Sequence, residues 1–124
     1  MLIGKSQGID VPEIPKVAWI HVQQLTDSSL IPNVTDLGQG EAEVIALGIQ
    51  YSNSLLILDD QLGRQIARLY HLHTTGTLGI LLKAKQQGLI TEVSPLIALL
   101  RQKGMWLSQQ LINDVLDLAD ELNK

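Results

Sequence analysis

The sequence predicts an α/β fold built on a short parallel sheet, and three observations carry that expectation. The stretch Leu37-Gly38-Gln39-Gly40-Glu41-Ala42-Glu43-Val44-Ile45-Ala46-Leu47 reads as a glycine turn entering a helix. The apolar run Leu55-Leu56-Ile57-Leu58 is typical of a strand buried on both faces, and it ends in Asp59-Asp60. Strand-like and helix-like segments then alternate through the middle of the chain, as in parallel strands joined by covering helices. At 124 residues the chain is expected to form a single domain with a sizeable core, residues 1–16 being irregular and residues 17–124 the α/β part.

Taken in order, residues 1–16 are polar and broken by Gly4, Gly8, Pro12 and Pro15. Residues 17–22 alternate like a strand, and residues 26–38 form a loop. Residues 39–51 form the first helix, and residues 54–59 a strand buried on both faces. Residues 61–70 form an amphipathic helix with Leu62, Ile66, Leu69 and Tyr70 on one side. A short strand over residues 72–75 passes through Gly76 into a helix that Gly88 ends, with Leu78, Leu81, Leu82 and the Lys85 stem on one face. Ser94 followed by Pro95 opens a helix that stops at Gly104, Ser94 being its expected cap. Ser108 caps the last helix, where Leu111, Ile112, Val115, Leu118, Ala119 and Leu122 form a stripe. Asp114, Asp117, Asp120 and Glu121 are read as its solvated face.

The chemistry concentrates where the apolar run at residues 54–59 ends. Ligands of open parallel sheets bind at the carboxyl ends of strands, so Asp59 and Asp60 stand where a metal or phosphate sits. At roughly 100° per residue, Glu41 falls on the stripe of Val44, Ile45 and Gly48, whereas Glu43 points to the other side with Gln50 and is read as solvated. Converging carboxylates suit a hard cation such as Mg²⁺ or Mn²⁺. The same residues also have a purely structural reading. An acid in a first helical turn is favoured by the helix dipole, and Asp after a strand commonly caps the next helix.

Composition narrows the function classes. The formal net charge is −4, which argues against a broad basic face for duplex nucleic acid. Aromatics make up 3% with no Phe, so the core is expected to rest on Leu, Ile and Val. The lack of Cys removes disulfides and thiolate metal sites and fits a reducing cytoplasm. No apolar run is long enough for a bilayer span and the first residues do not resemble a signal peptide, so a cytoplasmic protein is expected. His21, His71 and His73 do not make a metal pattern, His71 falling at a helix end. Trp19, Met105 and Trp106 are read as core or interface anchors, because base stacking needs a platform of several aromatics. Ser108 has no His/Asp partners for nucleophilic catalysis.

In order along the chain come the Leu37 to Leu47 motif, Leu58-Asp59-Asp60 with Arg64, Thr75-Gly76-Thr77-Leu78-Gly79-Ile80-Leu81 with Ala84-Lys85, and Leu107-Ser108. Together they resemble an uncharacterised family of short prokaryotic PIN-like proteins, predicted to bind nucleic acid. The resemblance implies a PIN-like three-layer α/β/α sandwich and kinship with Mg²⁺-dependent ribonucleases, including toxins of toxin–antitoxin pairs. RNA and an antitoxin protein are the partners it suggests. Glu41 and Asp60 match the family's catalytic acids, and with Asp59 they are the metal ligands for Mg²⁺ or Mn²⁺. Thr75 and Thr77 match a hydroxyl-bearing loop suited to a phosphate oxygen, their structural role being to cap the next helix. Arg64, paired with Arg68 at i and i+4 on the exposed side of its helix, suits the RNA backbone.

The resemblance also implies an opening strand carrying an Asp and a helical hairpin carrying a Glu, for which this sequence shows no counterpart. Asp10 and Glu13 sit in a Pro-bracketed segment and are poor substitutes. The expectation is therefore a truncated PIN-like domain with an incomplete cation site and weak or no ribonuclease activity. The alternative is a catalytically inactive remnant serving as an interaction or assembly module. A missing central strand leaves edges to cover, so a homodimer or larger assembly is expected, through residues 1–22 and the Leu111, Val115 and Leu118 stripe.

Overall fold

The computed structural model describes residues 17–122. The expected irregular start and the acids Asp10 and Glu13 lie outside the described residues. A 3-10 turn over Ser28–Leu30 is capped by Asp27, whose carboxylate accepts from the Ser29 amide at 3.0 Å. That carboxyl is held below the ordinary aspartate value by the hydroxyl and amide of Ser29. Then follow α1 (Gln39–Gln50), β1 (Leu55–Ile57), α2 (Gln61–Leu69), β2 (His73–Thr75), α3 (Thr77–Gln86), α4 (Ser94–Gln102) and α5 (Gln109–Leu118). β1 and β2 pair in parallel with Leu55 opposite His73, Leu56 opposite Thr74 and Ile57 opposite Thr75. The Leu58 amide extends the ladder by donating to the Thr75 carbonyl at 2.8 Å. Together β1, α2 and β2 form the expected strand–helix–strand unit of an α/β fold.

The helix ends follow one rule. After each of α2, α3, α4 and α5 comes a residue with positive φ: His71 at 60°, Gly88 at 76°, Gly104 at 102° and Asp120 at 60°. Each terminus carries the paired backbone bonds of a Schellman turn, for example Leu72 N to Ala67 O with His71 N to Arg68 O. The Gly88 and Gly104 stops are those the sequence announces. His71 and Asp120 hold the same left-handed position with a Cβ, where glycine is easier.

Two apolar clusters result. One joins α1, β1 and α2 through Ile45, Leu56, Leu58 and Ala67, with Leu72 and Val44 at its margin. Gly48 lets α1 approach β1 closely, since a Cβ there would stand 2.7 Å from a Leu56 methyl and 3.2 Å from one of Leu72. The other cluster joins α3, α4 and α5 through Leu78, Val93, Ile97, Leu107, Ile112 and Val115.

Several expectations are corrected. Residues 17–22 form a turn, with the Ile20 amide bonded to the Val17 carbonyl at 3.1 Å, and not a strand. Alternation alone does not make a strand without a neighbour to pair with, and the described sheet contains β1 and β2 alone. β1 is buried on one face only: Leu56 packs inward, whereas Leu55 and Ile57 remain 55% and 56% exposed. Of the core and interface readings of the tryptophans, the core one is overturned, since Trp19 and Trp106 are 80% and 83% exposed, whereas Met105 packs against the core. The α5 stripe divides, because Ile112, Val115 and Ala119 are buried in the chain's own core while Leu111 and Leu118 face outward. Val115 is therefore not available to a partner as expected. No helix among the described residues is long and apolar enough to cross a membrane.

Glu121 is the most informative correction. It is not solvated: its carboxylate accepts from the amides of Val93 at 2.8 Å and Ser94 at 2.9 Å and from Lys85 Nζ at 3.0 Å. Lys85 also donates to the Ala119 carbonyl. Ser94 is the first residue of α4 and not its cap; Val93 holds the cap position without a side-chain cap bond. A carboxylate from beyond the end of α5 thus caps α4 across the fold. Burial raises the Glu121 pKa, but the two amides and the Lys85 ammonium outweigh that and hold it below the ordinary glutamate value.

Candidate functional site

Parallel pairing brings the carboxyl ends of β1 and β2 to the same end of the molecule, and the register decides which residues meet. Ile57 lies opposite Thr75, so continuing two residues along both chains sets Asp59 beside Thr77. Asp59 Oδ1 accepts from the Thr77 amide at 2.8 Å and Oδ2 from the Thr77 hydroxyl at 2.6 Å. The N-cap residue of α3 is Gly76, which has no side chain to satisfy the first amides. Asp59 supplies that function from the neighbouring strand. Gly76 also leaves room for that carboxylate, since a Cβ there would stand 2.7 Å from Asp59 Oδ1.

Asp60 serves the helix that follows it, accepting from the Gly63 amide through Oδ2 at 2.7 Å as the N-cap of α2. Glu41 is the third residue of α1, and its carboxylate folds back over Gly38, the N-cap, where a Cβ would run into it. That is the position from which a capping-box acid works. Gly63 lies between the two acids: a Cβ on it would be 3.5 Å from Asp60 Oδ2 and 3.7 Å from the Glu41 stem. The structure therefore brings Glu41 and Asp60 to one glycine, and places Asp59 separately against Thr77.

Among the described residues no three His, Cys, Asp or Glu side chains converge as a metal site. The expected ligand set of Glu41, Asp59 and Asp60 does not assemble. Both oxygens of Asp59 are engaged by Thr77, each accepting one hydrogen bond and keeping one further acceptor site. Among the described residues the acids present do not make up a complete donor set for a Mg²⁺ or Mn²⁺ centre.

Beside Asp59 lies a cleft of about 440 Å³, lined among others by Asp59, Arg64, Gly76, Trp106, Ser108 and Leu111. Arg64 is not on the outer side of α2 as expected. Its Nη1 comes within 3.6 Å of the Cβ position at Gly76, and its side chain is half-buried while Arg68 stays exposed. Of the two threonines, Thr77 spends its hydroxyl on Asp59, and Thr75 occupies the space that the missing side chain of Gly79 leaves on α3. Glu43 is half-buried rather than solvated, and accepts from Gln39 Nε2 at 3.0 Å.

The sequence gives no hint that Trp106 borders this cleft, because it stands between helices where no periodicity assigns a direction. Ser108 caps α5 as expected, accepting from the Leu111 amide at 3.1 Å. The position of its helix start on the cleft wall follows only from packing. His71 and His73 border a different cavity, of about 320 Å³, at the amino ends of the strands and away from the acids.

No curated protein and no solved structure matches the chain at a significant level. A family model described as a PIN domain matches residues 2–121. With the parallel strand pair, its covering helices and the acids gathered at the strand ends, the chain belongs to the PIN-domain family.

Proposed function

We propose that this PIN-domain chain derives from Mg²⁺-dependent ribonucleases of the toxin–antitoxin kind and has exchanged cation binding for structure at its strand ends. The observation that supports this reading is the double bond between Asp59 and Thr77. A carboxylate that satisfies a helix start with both oxygens is poorly placed to bind a cation as well. Asp60 and Glu41 remain adjacent at Gly63, so a weak Mg²⁺ or Mn²⁺ site based on this pair is the most the described acids support. Cation chemistry in such enzymes activates water and stabilises charge on the scissile phosphate; a site short of ligands positions neither well. Of the three residues proposed to contact RNA, Arg64 is the best placed, since it lines the cleft. Thr77, and Thr75 beside Gly79, serve the start of α3.

Calorimetric titration and cleavage of single-stranded RNA by the whole chain in Mg²⁺ and Mn²⁺ test this. Weak binding and slow or undetectable cleavage are expected. Efficient Mn²⁺-dependent cleavage that Asp60→Asn abolishes would reject the reading. A second reading, that the chain works as an interaction module, is favoured by the uncovered outer face of β1, where Leu55 and Ile57 are about half exposed.

A further inference from the structure

Trp106 and Arg64 line the same cleft, and the packing of the chain accounts for neither. Trp106 leaves its ring in water at 83% exposure, although Met105 and Leu107 on either side of it belong to the core of the helical half. Arg64 is half-buried and makes no hydrogen bond or ion pair among the described residues. Asp59, the acid that lines the cleft with it, has both oxygens on Thr77 instead. A partly desolvated guanidinium without an acceptor favours an oxyanion from outside the chain.

We propose that Trp106 is the residue on which a base of single-stranded RNA stacks, with Arg64 taking a phosphate of the same strand. A flat apolar ring beside a free cation matches a nucleotide, which joins a flat base to an anion. Met105 and Leu111 extend the apolar lining, and about 440 Å³ suits one small group rather than a duplex. Stacking along a strand needs a platform of several aromatics, whereas a single splayed base needs one ring. The contact rests on the nucleic-acid part of the proposed function. It requires no cation and none of Glu41, Asp59 and Asp60 as ligands.

The test is titration of the full chain with a short single-stranded RNA in EDTA, so that binding is read without cleavage. Trp19→Phe leaves Trp106 as the sole tryptophan. Saturable quenching of its fluorescence is expected, and an abasic strand of the same length should not quench. Trp106→Ala should weaken binding about tenfold and Trp106→Phe restore most of it, with native circular dichroism because the ring is exposed. Arg64→Gln should lower the slope of log affinity against log salt by about 0.7, the share of one phosphate on a single strand. Absence of binding, binding without quenching, equal quenching by the abasic strand, or an affinity that Trp106→Ala leaves unchanged each overturns the inference. Efficient Mn²⁺-dependent cleavage would reject the proposed function whether or not Trp106 is quenched, so the two fail separately. If the Trp19 variant does not fold, quenching of the unaltered chain that Trp106→Phe removes decides the same point.

Discussion

The α/β half and the helical half of this molecule solve the same problem with different success. In the helical half, α3, α4 and α5 bond their backbones internally, with Asp59 and Glu121 serving the starts of α3 and α4, and a continuous cluster from Leu78 to Ala119 fills the space between them. Lys85 and Glu121 then tie the start of α4 to the end of α5. In the α/β half a smaller buried set, Ile45, Leu56, Leu58 and Ala67, covers one side of the described strand pair. The other side shows Leu55 and Ile57 to solvent. Helices can be closed by side-chain packing alone, whereas a strand also leaves polar backbone to be paired. The candidate acids Glu41, Asp59 and Asp60 sit on the half that is less closed among the described residues.

The largest effects should come from emptying each cluster. Ile45→Ala, at a fully buried position of the α/β half, is expected to cost about 3 kcal/mol, and Ile112→Ala in the helical half a similar amount. Urea denaturation gives both values, and native-state hydrogen exchange should show the α/β half opening first. Equal protection of the two halves would break the contrast.

A middle-sized effect is expected at the knot of the helical half. Glu121→Gln should destabilise by about 2 kcal/mol, since it weakens bonds to two amides and an ammonium. The pH dependence has a definite sign. Because the folded-state pKa of Glu121 lies below its ordinary value of 4.5, its contribution is fully present above that value. It is lost as pH falls from there through the depressed folded pKa. Thermal melts between neutrality and pH 3 should show this acid-dependent loss in the natural chain and less of it in the variant.

The smallest effect is expected at the candidate site. Asp59→Ala removes the borrowed cap of α3 and should cost about 1 kcal/mol. Thermal melting measures it. A variant as stable as the natural chain would show that Asp59 is not engaged structurally, and would return its carboxylate to the list of free cation ligands. The outcome therefore sharpens the difference between the two halves and bears directly on the proposed function.

Much of the local structure was legible because it depends on short stretches of chain. Gly88 and Gly104 end helices since the left-handed residue after a helix favours glycine, and Ser108 starts one since its hydroxyl reaches an amide three residues on. The apolar run at residues 55–58 and the parallel pair were readable from alternation of period and length. Asp60 as a cap and Asp59 at a strand end were both among the readings that the sequence allowed. What only the tertiary structure decided is which reading each acid takes. The β1–β2 register brings Asp59 to Thr77, eighteen residues away, and packing of α5 against α3 delivers Glu121 to the start of α4, 27 residues from Ser94. Periodicity assigns a residue to a face of its own element but does not say what stands opposite. For that reason Glu121 was read as solvated, Trp106 as a core or interface anchor and Arg64 as lying on the exposed side of its helix. The same reason applies to residues 17–22: their pattern is a strand's, but a strand exists only where another backbone lies alongside to accept its hydrogen bonds.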